Sequence, residues 1–269
     1  MATLFQPHPF AVEALLGRTT VLTFAAPAAQ LRALLPPPFE LDTFGAAPDA
    51  CGFVAVALVQ TTALRPRGLP AWLGNSFFLI GYRVFVRFTT PAGRRLRGLY
   101  ILRSETDQRR MVWLGNLLTN YRYAKVDIAQ THTATGWSVT SEQARLRIAI
   151  ELPAAAEPQG EKAELKGEPL MEPFTEPPLP AGSPFGNWRE ARRFAGPLPF
   201  TFSHEPGSRR VLVVQGERES WQPQPVVVRQ ARVGFFEQLG LDDLRLASAF
   251  TMRDIPYSWQ KGRYEAWNG

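Results

Sequence analysis

Lys125, which follows two tyrosines at alternate positions, is the side chain whose type and setting best suit covalent chemistry. If residues 120–128 form a strand, alternate side chains point the same way, and one face carries Tyr121, Tyr123, Lys125 and Asp127. An amine desolvated by two aromatic rings has a lowered pKa and attacks carbonyl groups. Lys125 is therefore the candidate catalytic residue, with Tyr121 and Tyr123 as ligand-binding wall or proton donor. The alternative is a solvated strand lysine with a packed stem.

Two arginines interrupt an otherwise apolar segment, residues 77–90. An arginine in such a strand must face water, a carboxylate partner or an anionic ligand. Arg83 is therefore the candidate anchor for a ligand carboxylate. For both Arg83 and Arg87 the alternatives are a solvated face or a salt bridge with an acid such as Glu142. Only four of the 30 basic residues are lysines, so few side chains are available for amine chemistry.

Motifs for metal, phosphate and acyl-transfer chemistry are absent from the sequence. It has no HExxH, no Walker loop, no CxxC and no GxGxxG after a strand. The three histidines, at positions 8, 132 and 204, lack metal-ligand spacing. Ser183 is followed by Pro184, which lacks the backbone N–H that a nucleophile elbow uses. We predict neither a metal nor a cofactor.

Strand patterns outnumber helix patterns along the chain. Arg83, Phe85 and Arg87 alternate with apolar neighbours, a Pro-Ala-Gly turn follows, and the alternation resumes at residues 94–103, which predicts a hairpin. Further strand patterns occur at residues 51–59, 143–152, 211–219, 225–233 and 246–253. Helix patterns are short, at residues 27–35, 104–118, 187–194 and 234–241. Many strands with few short helices predict a mainly β protein, an antiparallel sandwich or barrel.

One stretch of different composition, residues 153–184, contains eight prolines and six glutamates. We interpret it as a long connection within a single domain, residues 1–269, because strands on either side can pair across it. The same stretch is the segment that a structural or regulatory partner protein would recognise.

The overall charge and cysteine content narrow the class of protein. A lone cysteine, Cys51, forms no internal disulfide and fits a reducing compartment. No apolar run reaches the roughly 20 residues of a membrane helix. We expect a soluble, cytoplasmic protein with no membrane partner. A net charge of +6 and dense arginines on residues 83–103 suggest an alternative, a nucleic-acid or polyanion binder, but no module motif supports it.

Four segments carry a resemblance to a known family: residues 36–45 (PPPFELDTFG), 82–86 (YRVFV), 117–125 (LLTNYRYAK) and 191–197 (ARRFAGP). Together they resemble the YqjF-like family, a domain of unknown function related to acetoacetate decarboxylase, over about residues 15–260. The resemblance implies a mainly antiparallel β-barrel with an internal cavity. In acetoacetate decarboxylases a lysine forms a Schiff base with a β-keto acid, a second lysine lowers its pKa, and glutamates and an arginine line the cavity.

The sequence departs from that pattern at the reacting centre. Lys125 falls near the expected lysine pair, yet Ala124 and Val126 flank it, and residues 77–86 contain no glutamate. Both departures argue against decarboxylation. We therefore predict a small-molecule cavity for a carbonyl or carboxylate ligand, in a degenerate relative of acetoacetate decarboxylase. Whether the protein is an enzyme stays open, and a homo-oligomer is compatible with the sequence.

Overall fold

Two β-sheets make up most of the computed structural model, which describes residues 8–46, 50–152, 176–196, 198–218 and 222–267. The strands are β1 (Val12–Pro27), β2 (Glu40–Leu41), β3 (Cys51–Pro66), β4 (Asn75–Thr89), β5 (Arg95–Thr106), β6 (Tyr123–Lys125), β7 (Ala129–His132), β8 (Gly136–Ser141), β9 (Leu146–Glu151), β10 (Phe200–His204), β11 (Arg210–Arg218), β12 (Gln224–Pro225), β13 (Val227–Val233), β14 (Arg245–Trp259) and β15 (Arg263–Ala266). The helices are α1 (Ala28–Arg32), α2 (Arg109–Leu118), α3 (Trp188–Ala195) and α4 (Gly234–Gln238), with a 3-10 turn at Ala71–Leu73. The prediction of a mainly β protein with short helices is confirmed.

The larger sheet has 11 strands, and seven of them form a closed circuit of pairings from β14 through β1 and β5 to β11 and back to β14. Its path runs β12-β14-β1-β3-β4-β5-β10-β11-β15, with β2 on β4 and β6 on β5, and β14 pairs again with β11. Strands β6 and β10 run parallel to β5, whereas the other pairs are antiparallel. The sheet is therefore mixed, which corrects the prediction of a wholly antiparallel one. Parallel pairing needs a long connection; α2 lies in the one between β5 and β6, and α3 lies in the one that leads to β10.

The smaller sheet, in the order β13-β9-β8-β7, packs on one face of the larger sheet. The residues buried between the two sheets include Val56 and Ile80 from the larger sheet and Trp137 and Ile148 from the smaller one. The opposite face of the larger sheet packs partly against α3, through Trp188 and Phe250, whose rings meet at 5.2 Å. The rest of that face is concave.

The β4–β5 hairpin is confirmed, and its alternation separates two environments. Val84 lies opposite Tyr100 and Phe88 opposite Leu96. The even-numbered residues of β4 from Phe78 to Phe88 are buried in the core that the smaller sheet helps to form, and the odd-numbered residues face the concave side. The period of two therefore decides which side chains the concave face receives.

The helix expected from residue 104 begins later. Strand β5 continues to Thr106, and α2 starts at Arg109. Glu105 stays in the sheet because its buried carboxylate accepts a hydrogen bond from the Tyr82 hydroxyl (2.7 Å) and pairs with Arg103 (3.0 Å). Burial raises the pKa of Glu105, and these two contacts oppose the shift. The contacts of Glu105 therefore keep this segment in strand β5, although its local sequence resembles the start of a helix.

The Pro/Glu-rich connection lies mostly outside the described residues, since residues 153–175 are not among them. Its last part packs on α3: Glu176 pairs with Arg192 (2.5 Å), and the Trp188 indole N–H donates to the Pro177 carbonyl (2.5 Å). The Asn187 side chain caps α3 by accepting from the Glu190 N–H at 2.9 Å. Of the helices described, none has the length and apolar character that crossing a membrane requires.

Candidate functional site

A cavity of about 380 Å³ lies between the concave face of the larger sheet, α2 and the segment that follows α3. Strands β1, β3, β4, β5 and β14 form its floor, and α2 covers it with Met111, Leu114, Gly115 and Leu118. Most of the wall is aliphatic or aromatic. No aspartate, glutamate or lysine of the described chain lines it. A charge inside this cavity therefore interacts with very few fixed charges.

Arg83 projects into this cavity from the middle of β4. Its guanidinium lies over Gly81, where a Cβ atom would come within 3.2 Å of the terminal nitrogen, so the missing side chain leaves it room. Among the described residues no carboxylate pairs with Arg83 and no acceptor bonds its buried Nε atom. Burial lowers its pKa, but an arginine stays protonated at physiological pH. The cavity thus contains an uncompensated positive charge.

Three tyrosines surround this charge, namely Tyr121, Tyr123 and Tyr257. Burial raises the pKa of Tyr121 to about 12 and also raises the pKa of Tyr123 and Tyr257, while Arg83 electrostatically opposes each shift. The Tyr121 hydroxyl is bonded to the Thr201 hydroxyl at 2.9 Å, and Tyr257 bonds Arg218. At neutral pH these phenols are protonated, so they can donate hydrogen bonds to an acceptor.

Two glycines allow the tyrosine rings to reach their positions. A Cβ atom at Gly115, in the middle of α2, would overlap the ring of Tyr123. A Cβ atom at Gly216 on β11 would overlap the hydroxyl of Tyr257. A helix-interior glycine costs about 1 kcal/mol relative to alanine, so the close approach of Tyr123 accounts for Gly115.

Lys125 lies elsewhere, and the prediction that it is desolvated by Tyr121 and Tyr123 is wrong. Its side chain is exposed on the outer flank of α2, beside Arg109, Trp113 and Leu117. Strand alternation does not continue through this segment, because Arg122 adopts a left-handed conformation (φ 53°) and β6 has only three residues. The ring of Tyr123 packs against Gly115 of α2 on the cavity side, whereas the side chain of Lys125 lies on the solvent side.

The other cationic groups of the cavity wall have partners. Arg65 pairs with Glu13 at 2.7 Å and donates to the Leu69 carbonyl, and Arg218 bonds Tyr257. His8 also lines the wall, and burial lowers the pKa of its imidazole, which favours the neutral form. Among the guanidinium groups that line the described cavity, Arg83 alone has no protein partner.

Sequence reasoning identified Arg83, Tyr121 and Tyr123, which the structure brings together, but it missed Tyr257, Gly81 and His8. Tyr257 is placed in the cavity by the long β14 strand, which no local pattern around it indicates. Gly81 had a usable signal: a glycine two residues before an arginine, on the same face of a strand, leaves space beside the arginine. Nothing in the sequence links His8 to this site.

Four of the arginines that suggested a polyanion surface contact acidic side chains. Arg87 and Arg97 both bond the buried carboxylate of Asp42, Arg95 pairs with Glu40 at 3.2 Å, and Arg103 pairs with Glu105. Each of these acids reduces the positive charge that would attract the phosphate groups of a nucleic acid. In the part of the chain that the structure describes, no group of three His, Cys, Asp or Glu side chains is arranged to hold a metal ion.

The fold is similar to that of acetoacetate decarboxylase-like proteins of known structure. It is similar to acetoacetate decarboxylase from Legionella pneumophila subsp. pneumophila str. Philadelphia 1, at TM-score 0.57 and 10% identity over 96% of this chain and 88% of the other. It is similar to the enduracididine biosynthesis enzyme MppR complexed with pyruvate, at TM-score 0.54 and 13% identity over 98% of this chain and 92% of the other. A third similar structure is an acetoacetate decarboxylase-like enzyme from Sphingomonas wittichii RW1, at TM-score 0.52 and 12% identity over 97% of this chain and 93% of the other. At these identities the likeness establishes the fold alone.

The chain belongs to the family DUF2071, described as an uncharacterized conserved protein, whose model matches residues 15–258. The prediction of a family of unknown function is confirmed, and the likeness to acetoacetate decarboxylase-like proteins is confirmed for the fold. No curated protein matches the sequence.

Proposed function

We propose that the protein binds a small carboxylate ligand in the cavity, non-covalently, with Arg83 as the anchor and Tyr121 and Tyr123 as wall and hydrogen-bond donors. The observation that carries this proposal is the protonated guanidinium of Arg83, which lies inside the protein with no acid beside it among the described residues. Tyr257 joins the proposed site because it faces the same guanidinium.

The energetic argument is that of an incomplete ion pair. A charge removed from water is costly unless a counter-charge and hydrogen bonds compensate it. A carboxylate matches the planar guanidinium with two parallel hydrogen bonds. Neutral phenols around Arg83 add donors and no competing negative charge. A ligand carboxylate therefore satisfies the group that the protein itself leaves unpaired.

The absence of an amine from the described cavity wall supports non-covalent binding over Schiff-base chemistry. Lys125 is outside the cavity, and Lys261, the other described lysine, is exposed. A carbonyl ligand at Arg83 then has no described amine to attack it, so the proposed function does not include decarboxylation through Lys125. The MppR structure was determined with pyruvate, which is a carboxylate, and this supports the ligand class.

We also propose that the closed circuit of strands β14-β1-β3-β4-β5-β10-β11 is a barrel around the cavity, within one domain spanning residues 1–269. The support is the pairing of Gly216 with Trp259 and of Arg218 with Tyr257, which joins β11 to β14. A reducing, cytoplasmic location stays a proposal that rests on the single cysteine, Cys51, which is buried and free.

The test is isothermal titration calorimetry with hexanoate and its neutral counterpart 1-hexanol, on the natural protein and on Arg83→Met. We expect hexanoate to bind and Arg83→Met to weaken it at least 30-fold, since losing one partner of a buried charge pair costs about 2 kcal/mol or more. Arg147→Met, on the exposed side of β9, is the control and should bind hexanoate unchanged. Equal binding of the acid and the alcohol would refute the proposal.

A further inference from the structure

We infer that the ligand of this cavity is a monocarboxylate with an extended aliphatic tail, of the medium-chain fatty acid class, whose carboxylate meets Arg83 and whose tail runs towards α2. This inference rests on the proposed function and adds the identity of the rest of the ligand. Three observations carry it: where Arg83 stands along its strand, what lines the wall on either side, and how the other charges are engaged.

Arg83 stands near one end of the cavity. The cavity-lining residues of β4 are Asn75, Phe77, Leu79, Arg83 and Phe85. At about 3.3 Å per residue, Phe85 lies about 7 Å from Arg83 along the strand, whereas Leu79 lies about 13 Å and Phe77 about 20 Å away in the other direction. The guanidinium leans over Gly81, which is the longer side. A bound carboxylate thus has most of the cavity length beyond it on the side of Phe77.

The wall of that longer side is mostly apolar. From β3 and β4 it receives Leu64, Phe77 and Leu79 beside the polar Thr61 and Asn75, and from α2 it receives Met111, Leu114 and Leu118. Polar ligand groups placed among the apolar side chains would be desolvated without partners, which is costly. Methylene groups placed there leave water and gain about 0.8 kcal/mol each.

The remaining charges of the wall argue for one carboxylate only. Besides Arg83, the described wall has two guanidinium groups, Arg65, which pairs with Glu13 and donates to the Leu69 carbonyl, and Arg218, which bonds Tyr257. A second carboxylate on the tail would have to break one of these contacts or stay uncompensated. Dicarboxylates of the same length are therefore disfavoured.

The size of the cavity fits this class. A volume of about 380 Å³ lies within the roughly 300–1,000 Å³ of ligand pockets. Because a two- or three-carbon acid would fill only the space beside Arg83, its affinity gains nothing from the apolar wall. Affinity should instead rise with chain length until the wall is covered.

Calorimetric titration of the full chain with acetate, butanoate, hexanoate, octanoate and octanedioate, below micelle-forming concentrations, tests this. We expect Kd to fall about fourfold per methylene, the fold-change equivalent to 0.8 kcal/mol, and octanedioate to bind at least tenfold more weakly than octanoate. A Kd that stays constant from acetate to octanoate would overturn the inference while leaving the proposed function intact. Octanol binding as tightly as octanoate would instead overturn the proposed function.

A pair of α2 variants locates the tail. Leu114 lines the cavity, whereas Leu117 lies on the outer side of the same helix and is 47% exposed. We expect Leu114→Gln to weaken octanoate about tenfold and butanoate less than twofold, and Leu117→Gln to change neither. If Leu114→Gln weakens both acids equally, or neither, the tail does not run under α2.

Discussion

Arg83 and Arg87 stand four residues apart on the same face of β4, yet their surroundings are opposite. Arg87 donates to Asp42 at 2.6 Å, and Arg97 from β5 bonds the other oxygen of that carboxylate. Arg83 has no acid partner among the described residues. The charge of Arg87 is balanced by an acid of the protein itself, whereas in our proposal the charge of Arg83 is balanced only by the carboxylate of a bound ligand. Two identical side chains on one strand thus serve structure and, in our proposal, binding.

The difference arises from which element covers each arginine. Strand β2 pairs with β4 at Arg87 and Val86, and the Asp42 N–H then donates to the Phe85 carbonyl at 3.0 Å. This short strand delivers a fully buried carboxylate to Arg87. Arg83 instead faces the cavity and the tyrosines that line it. An arginine is therefore paired where an acid-bearing strand lies against it and unpaired where the cavity does.

The largest effect should come from removing the shared acid. Asp42→Asn leaves Arg87 and Arg97, about a third exposed (35% and 28%), without a counter-charge. We expect the free energy of unfolding to fall by about 3 kcal/mol, measured by urea denaturation. The exposed pair Arg95–Glu40 is the control: Glu40→Gln should cost less than about 1 kcal/mol. Equal losses for both variants would mean that the Asp42 cluster behaves as a surface pair.

The two arginines should respond to the same substitution with opposite signs. Arg87→Met removes one partner of Asp42 and should lower the free energy of unfolding by about 2 kcal/mol. Arg83→Met removes an uncompensated charge and should leave the ligand-free protein equally stable or more stable by about 1 kcal/mol. Denaturation of both variants under one set of conditions checks this. Destabilisation by Arg83→Met as large as that by Arg87→Met would show that Arg83 also has a structural role.

Supplying Arg83 with its own acid should abolish the contrast. Ser104 lines the cavity and pairs with Gly81 across β4 and β5, at the place where the guanidinium lies. Ser104→Asp introduces a carboxylate there, and opposite cross-strand positions are about 5 Å apart. We expect hexanoate to bind about tenfold more weakly, by calorimetry, with unfolding changed by less than about 1 kcal/mol. Ser104→Asn, of similar size and neutral, should bind hexanoate more tightly than Ser104→Asp does.

The last effect, which is confined to alkaline pH, concerns the tyrosines around Arg83. Burial raises the folded-state pKa of Tyr121 to about 12, above the ordinary value near 10. The folded protein thus holds this proton more tightly than the unfolded chain does, so stability is lost as the pH rises from about 10 to about 12. We expect Tyr121→Phe to lose less stability over this range, in denaturation curves at several pH values.

Tyrosinate absorbance sharpens the same prediction. Arg83 lowers the pKa of Tyr121 and Tyr123 against the effect of burial. In Arg83→Met the buried tyrosines should therefore ionise at higher pH, whereas Arg87→Met should leave them unchanged. A shift of equal size in both variants would contradict the placement of Arg83 as the cation that faces the rings.

The sequence predicted those features that follow from local patterns. The β4–β5 hairpin was readable because apolar alternation and a Pro-Ala-Gly turn specify it. Arg83 was identifiable because a cation in an apolar strand requires water, an acid or an anionic ligand beside it. The partner of Arg87 was not, since Asp42 is 45 residues away, while the suspected acid, Glu142, lies in the turn between β8 and β9 and donates its N–H to Asp127.

The errors have a common physical cause. Lys125 was assigned to the cavity from strand alternation, and the alternation breaks at Arg122, whose left-handed conformation no residue-type preference predicts. The parallel pairing of β10 with β5 depends on where a long connection returns to the sheet. Both depend on tertiary contacts rather than on the pattern of neighbouring residues.

The junction of β11 and β14 consists of three residue pairs, and one of them joins Arg218 to Tyr257, both of which line the cavity. The same backbone amides therefore close the circuit of strands and support the wall around Arg83. An occupant pressed against Tyr257 would hold this short seam together, so its amide protons should exchange more slowly when the cavity is filled. Faster exchange of these amide protons in the ligand-free protein would therefore report whether the cavity is occupied.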